Sequence, residues 1–432
     1  MTRVLNRIVD VRADELRALW LAFVLHFVIL TGYYIMRPIR DSIAAGNKLE
    51  ALPWMFTATL VAMLIANALF AAIVARMSRR KFIPLAYVFF VSNLVLFFIL
   101  MRSAPPGQQM WVGRAFYVWV SVFNLFNTAI FWAFMTDLFT VEQGKRLYGF
   151  IAVGGSLGGI VGPYLTAHYV KQIGPANLLI VSGAMLGLAA LSVRFFPSAS
   201  AAGNKTARQE EQPIGGTVWS GITHICRSPY LLGLAVSMLI YTMTSTWAYF
   251  QQSDLARETL KDSGTRTVFL AQLDMWVNAI TVVVQIFLTG RLLKWFGVGF
   301  TLVAMPFLSM IGFAAMGVAS SLTLLAVFQV VRRAAAYALM RPAREILFTV
   351  LRREDKYKVK SVTDTLVYRV GDQLGAWSYG GLHGLGLDLR SISFVAVPLA
   401  AVWCALSLWL GKKQSELALV QRQETQKPAV TI

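Results

Sequence analysis

The stretch "PSASAAGNKTARQEEQPIGG", Pro197 to Gly216, is the longest polar interruption in the chain. It is rich in small and charged residues and carries proline at both ends of its polar part, so it reads as a linker. On either side lie apolar runs long enough to cross a bilayer, which takes roughly 20 residues per helix. Twelve spans are predicted, near residues 16–42, 53–76, 82–102, 111–137, 147–170, 176–196, 229–252, 267–290, 296–317, 320–350, 359–386 and 389–411. Six precede the linker and six follow it. The expected organisation is an all-α integral membrane protein with an N-terminal six-helix bundle (1–196), a cytosolic linker (197–228), a C-terminal six-helix bundle (229–411) and a cytosolic tail (412–432).

Composition supports that reading. Of 432 residues 57% are hydrophobic and 14% charged, and the mean hydropathy is +0.59, whereas a soluble domain is about 25% charged. The net charge of +19 resembles that of a nucleic-acid binder. Its location argues otherwise: the lysines and arginines sit mostly in short loops, where they set membrane orientation. With the amino terminus inside, 25 fall on the cytosolic side, 8 on the other and seven within spans. Both termini are therefore expected in the cytosol, in a multi-pass protein of the cell inner membrane with no nucleic-acid partner. The opening "MTRVLNRIVDVRADELRALW" mixes acids with arginines and leads into a full-length span, so it is expected to be retained rather than cleaved.

Catalytic chemistry is not indicated. Two cysteines, Cys226 and Cys404, and four scattered histidines, His26, His168, His224 and His383, give no disulfide framework and no metal-ligand spacing. No Ser-His-Asp order, HExxH or CxxC occurs. No enzyme activity, cofactor or metal is expected, and the partners expected are a small anionic solute and the lipid bilayer, with the chain a monomer.

One motif occurs twice. "YYIMRPIRD" (Tyr33–Asp41) ends the first span and "YALMRPARE" (Tyr337–Glu345) lies in the tenth. Each has Tyr, Met-Arg-Pro, a second arginine and a closing acid at the same spacing. An arginine at mid-membrane costs about 2.5–3.5 kcal/mol on insertion scales and is tolerated when it faces a partner or a watery cavity. Arg37 and Asp41 are four apart, as are Arg341 and Glu345, so each pair can meet along its helix; Arg40 and Arg344 are left less compensated. Proline removes a backbone donor and loosens the helix, which is tolerated where backbone lines a cavity. A planar guanidinium suits phosphate or carboxylate. These features point to an anion-binding chamber reached by Arg37, Arg40, Arg341 and Arg344, with Tyr33 and Tyr337 in its wall. A purely structural role in interhelical salt bridges is the competing reading.

Other residues add to the candidate set. Asn124 and Asn127 recur at helical spacing in span 4, either facing solute or tying helices together. Trp247, in "YTMTSTWAYFQQ" of span 7, suits stacking on a planar ring as well as ordinary interfacial anchoring. Asp274 in span 8 is an intramembrane acid, able to carry a proton or pair with an arginine. Arg332 and Arg333 in span 10 point about 100° apart, so one at most faces a chamber squarely; they join Asp41, Glu345, Asp274, Asp364, Arg369 and Asp372 as gating, ion-pair or coupling candidates. The glycine-rich "GGSLGGIVGP" (Gly154–Pro163) has no strand before it and no Lys-Ser/Thr end, so it reads as helix packing, not a phosphate loop.

At these residues the chain resembles the ATP/ADP antiporter family of nucleotide exchangers, which is similar to the major facilitator superfamily. The resemblance rests on "YYIMRPIRD", "FWAFMTDLFTVEQGKRLYGF" (Phe131–Phe150) and "YALMRPAREILF" followed by "KYKVKSVTDTLVYRVGD", in order over most of the chain. It implies two six-helix halves of inverted repeats, with spans 1, 4, 7 and 10 lining a central cavity, and an exchange of ATP against ADP. It also implies a lysine at the later basic place of each motif, where this chain has Arg40 and Arg344, and an early acid in span 4, where it reads "FYVWVSV" (Phe116–Val122). The function expected is alternating-access transport of a phosphorylated anion such as a nucleotide. Proton-coupled movement of an organic anion, drug or lysophospholipid is the alternative transporter reading, and a non-transporting scaffold or receptor the alternative from another class.

Overall fold

The computed structural model describes residues 11–12, 14–76, 79–196, 223, 225–351, 359–360 and 362–426. Most of the predicted linker, the final residues of the tail, and Arg352, Arg353, Lys356 and Lys358 of the loop after span 10 lie outside the described residues. Among the described residues the regular structure is helical throughout.

Four helices precede the first break: α1 (Leu16–Gly46), α2 (Ala51–Arg76), α3 (Arg79–Ser103) and α4 (Pro106–Leu138). The next helical stretch, Val141–Ser192, is too long for one crossing at 1.5 Å per residue. It is broken at Gly174, whose φ of 81° no other residue adopts comfortably, and Pro175 restarts the helix. The stretch is thus two passes, α5 (141–173) and α6 (175–192). Gly297, at φ 75°, likewise divides the helical run from Ser263 to Val318 into α8 (263–296) and α9 (298–318). With α7 (Pro229–Thr259), α10 (322–347), α11 (363–384) and α12 (Leu389–Gln426) the described residues make twelve helical segments. This is the span count expected from hydropathy, with α12 continuing well past the predicted membrane limit.

The helices divide into two compact units, residues 1–212 with 256–278, and residues 213–255 with 279–432. In the first unit the core is aromatic and aliphatic, built on Leu19, Ile29, Phe116, Phe123 and Phe131. The glycines at 154, 158 and 162 let α5 lie directly on α1: a Cβ at Gly158 would stand 2.5 Å from the carbonyl oxygen of Phe27. The expectation of close packing at this motif therefore holds. His26 belongs to the same contact, donating from Nδ1 to the Ile151 carbonyl at 2.9 Å and stacking on Phe131. The second unit packs Met305, Ala338, Phe348 and Trp403. Large apolar side chains such as Leu64, Phe287, Phe300 and Val318 face outward, as lipid contact requires. Helices α1, α4, α7 and α10 have 56%, 44%, 67% and 50% of their most apolar window buried, against 28% to 39% in the other candidate spans. The four helices that bear the arginines at 37, 40, 332, 333, 341 and 344 with Asn124, Asn127 and Trp247 are thus the most enclosed of the candidate spans.

Candidate functional site: buried arginine clusters in each unit

The proline of each motif shapes its helix first. Pro38 continues α1, and the carbonyl of Ile35 just before it accepts a hydrogen bond from Thr166 of α5 at 3.1 Å. Pro342 follows a π-helical turn, Ala336–Met340. Its missing N–H is the donor that Ala338 receives in α register, or Tyr337 in π register. Both carbonyls are met from α8: Thr289 donates to Ala338 at 2.8 Å and Gln285 to Tyr337 at 3.3 Å. The backbone loosened by proline is held by neighbouring side chains, the pattern expected inside a membrane.

In the first unit the charges form a four-member cluster. Arg40 donates from both Nε and Nη2 to Oδ1 of Asp41, at 2.9 and 2.6 Å, and from Nη1 to Ser121 of α4 at 3.3 Å. Its guanidinium also lies 5.2 Å from the ring centre of Tyr117. Arg37 approaches Asp274 at 3.4 Å and Asp41 at 3.9 Å, with Tyr34 beside it. Asp41 and Asp274 are buried. Asn278, one turn past Asp274, donates to the Gly159 carbonyl of α5 at 2.8 Å. Tyr33 is buried edge-on against Tyr34 and near Phe123. Two positive and two negative groups thus meet in one desolvated place.

In the second unit Arg344 pairs with Asp364 of α11 at 3.2 Å and donates to the sulfur of Met238 at 2.9 Å. Arg341 stacks over Tyr337, 4.5 Å from its centre. Glu345 pairs with Lys360, not with Arg341; the helical spacing allowed the Arg341 pair, but a lysine from the following segment takes the carboxylate. Arg369 pairs with Asp372 at 3.3 Å, which Thr246 of α7 also binds. Arg40 and Arg344, expected to be the less compensated arginines, each have a close carboxylate. Arg332 is buried, with Ser245 and Ser309 as its hydrogen-bond partners, and Arg333 is half-buried.

Two residues expected near solute, Trp247 and Asn127, lie buried in helix packing. Trp247 is 2% exposed, and its indole N–H donates to the Gly375 carbonyl and to Ser378, at 3.1 and 3.0 Å, joining α7 to α11. Asn127 is fully buried, with no partner for either amide atom among the described residues. Asn124 is half-buried. Residues that sequence reasoning passed over are Ser121 and Tyr117 around Arg40, and Tyr368 in the second unit. No spacing rule links them to the motifs, because they lie on α4 and α11 and not on the helices that carry the motifs.

Nine helical stretches among the described residues are long and apolar enough to cross a membrane, and arginine–carboxylate pairs lie among them, as in a multi-pass membrane transporter. The sequence profile of the Major Facilitator Superfamily matches residues 19–349, and the chain belongs to that family. It is 20% identical to "ADP,ATP carrier protein 1" of Chlamydia pneumoniae over 96% of this chain and 94% of that protein, so the resemblance read from the motifs is borne out. Among solved structures it is similar to a bacterial homolog of the human lysosomal transporter Spinster (TM-score 0.62, 13% identity, 94% of this chain and 99% of that one) and to a D-xylose-proton symporter (TM-score 0.63, 11% identity, 91% and 97%). These relatives are transporters, not enzymes.

Proposed function

We propose that the chain is a secondary transporter that moves a phosphorylated anion, by exchange of a nucleotide such as ATP against ADP, through alternating access in the inner membrane. Both termini are cytosolic in this reading, residues 1–196 and 229–411 form the two bundles, and the protein works as a monomer. The observation that carries it is the recurrence of one arrangement: the second arginine of each motif holds a carboxylate, Arg40 the buried Asp41 and Arg344 the half-buried Asp364. The name of the chlamydial relatives supports the nucleotide.

A phosphate oxygen accepts the same fork of N–H groups that a carboxylate oxygen accepts. An arriving phosphate can therefore replace Asp41 or Asp364 without leaving the arginine bare. That matters because removing one partner of a buried pair costs about 3–5 kcal/mol. In this account the acids hold the arginines between transport events and release them to the solute. Arg37 joins through Asp274, and Tyr33 and Tyr337 flank the arginines. Proteoliposomes loaded with ADP should take up labelled ATP, and Arg40→Glu should abolish uptake while the protein stays monodisperse in detergent. Undiminished exchange by Arg40→Glu rejects the reading.

One observation favours a second reading. Asp274 is a buried carboxylate 3.4 Å from Arg37, and acids within spans recur in proton relays of transporters. Uptake driven by a pH gradient, needing no internal counter-solute and lost in Asp274→Asn, identifies proton coupling instead of exchange.

A further inference from the structure

Arg332 departs from the pattern set by Arg37, Arg40 and Arg344. Arg37, Arg40 and Arg344 each have a carboxylate oxygen within 3.4 Å. Arg332, 3% exposed, has none within ion-pair distance among the described residues. It lies ten residues into α10, about 15 Å from its start, and so near the middle of a hydrocarbon core about 30 Å thick. A bare charge is most costly there.

Two hydroxyls hold its side chain in place. Nη2 donates to Ser245 Oγ of α7 at 2.7 Å, and Nε to Ser309 Oγ of α9 at 3.3 Å. Each serine passes its own proton to a backbone carbonyl of its helix, Ser245 to Tyr241 and Ser309 to Met305. Each therefore presents only lone pairs to the guanidinium. The serines fix direction and supply no negative charge. A guanidinium has five N–H groups, and these bonds use two.

The surroundings are aromatic. The ionisable side chains near enough to act on Arg332 include Tyr241, Tyr368, Tyr337 and Arg333. Tyr241 and Tyr368 meet edge-on with centres 6.4 Å apart. Arg341 covers Tyr337. Asp372, the acid acting on Tyr368, is occupied by Arg369 and Thr246. A fixed cation without an anion, beside three phenol rings from three helices, matches a molecule that brings both an anion and a flat ring.

We infer that Arg332 and the tyrosines at 241, 337 and 368 form a subsite, wholly within the second unit, for the phosphate and ring of a heteroaromatic phosphate. The inference rests on the nucleotide reading above and deepens it. Ser245 and Ser309 are positioning residues, and the solute's phosphate completes the charge that the protein leaves open at Arg332. The tyrosines favour a solute with a ring over one without, and accept any base, since stacking on an aromatic side chain is indifferent to which base is bound.

The test uses the full chain in detergent, with pyrophosphate and ADP as probes, read by calorimetric titration and thermal melting. Arg332→Gln should weaken both probes about tenfold to a hundredfold, the loss of a charge-assisted bond, without lowering the melting temperature of the unliganded protein. Tyr368→Ala should weaken ADP at least tenfold and leave pyrophosphate unchanged. If Arg332→Gln melts lower and binds both probes within twofold of wild type, Arg332 is an interhelical tie and the inference is overturned. Equal losses of both probes in Tyr368→Ala overturn the ring contact. Should Arg332→Gln fail to fold, Arg332→Lys keeps the charge and loses the fork; severalfold weaker pyrophosphate binding supports the subsite, and wild-type affinity overturns it. Wild-type protein that binds pyrophosphate and ignores ADP ends the nucleotide reading, and with it the ring contact, while Arg332→Gln still decides the anion contact. Wild-type protein that binds neither probe overturns both.

Discussion

Thr289→Val tests whether the backbone opened by Pro342 is held from the neighbouring helix. Thr289 donates to the Ala338 carbonyl at 2.8 Å, and that carbonyl is the α-register partner of the amide that proline lacks. A net hydrogen bond contributes about 1 kcal/mol, and leaving a buried acceptor unmet costs about 1–3 kcal/mol. Interhelical bonds in membranes run lower, averaging about 0.6 and reaching about 1.7 kcal/mol. The expected loss is therefore about 1–1.5 kcal/mol, with Thr289→Ser close to wild type. The informative measurement is the cycle with Pro342→Ala, which returns an N–H to the same stretch of helix. In that background Thr289→Val should cost under about 0.5 kcal/mol, leaving a coupling of about 1 kcal/mol between residues that touch only through one carbonyl. Equilibrium unfolding in mixed SDS and mild-detergent micelles measures all four proteins. An equal cost of Thr289→Val in both backgrounds refutes the reasoning, because the hydroxyl's contribution is then independent of proline.

Two further outcomes follow from contacts in the first unit. Gly158→Ala should destabilise by about 1–3 kcal/mol, since its Cβ would press on the backbone oxygen of Phe27, which has no side chain to move aside; Gly149→Ala in the same helix, with open space around it, should be neutral or slightly stabilising by melting temperature. Glu15 is buried before α1; burial raises its carboxyl pKa, but the Arg12 amide, Gln143 and Arg146 outweigh this and hold it below the usual glutamate value. A lowered folded-state pKa means the contribution is complete above the unfolded value, about 4.3, and is lost as pH falls through the folded value. Melting temperatures from pH 7 down to 3 should fall more steeply in wild type than in Glu15→Gln; parallel slopes reject the assignment.

Hydropathy carried most of the fold, because crossing a bilayer imposes a length that apolar runs display directly. The two merged helices show its limit: the runs before and after residues 174 and 297 were visible as separate spans, while the hinge itself depends on a positive φ at one glycine. The charges were legible only locally. Spacing of four brought Arg37 near Asp41, yet Arg40 reaches Asp41 more closely from the adjacent position, because a long side chain can fold back along its helix. Asp274 and Asp364 were visible as intramembrane acids, but their particular arginines are set by tertiary packing. Glu345 met Lys360 for the same reason. Trp247 reads as a stacking residue from its aromatic neighbours, but a buried indole N–H needs an acceptor, and α11 supplies two.

The two copies of the motif are equal in sequence and unequal in backbone, and the difference bears on how the charges line up. On an α-helix each residue turns about 100°. Arg332 and Arg344 are twelve apart, which in an unbroken helix sets them about 120° apart around the axis. The π-helical turn at Ala336–Met340 lies between them. Such a turn accommodates one extra residue, so twelve residues advance as eleven and the separation falls to about 20°. Arg341, nine residues from Arg332, moves from the opposite face to about 80° away by the same count. α1 has no such turn between Tyr33 and Asp41, and its arginines find their acids within the straight helix and from α8. In α10 the inserted residue gathers Arg332 and Arg344 onto one side, although Asp364 neutralises only the second. The repeated nonapeptide supplies the chemistry twice; the π turn, written in the unremarkable "AYALM" before the second copy, gives that copy an additional, uncompensated cation on the same face.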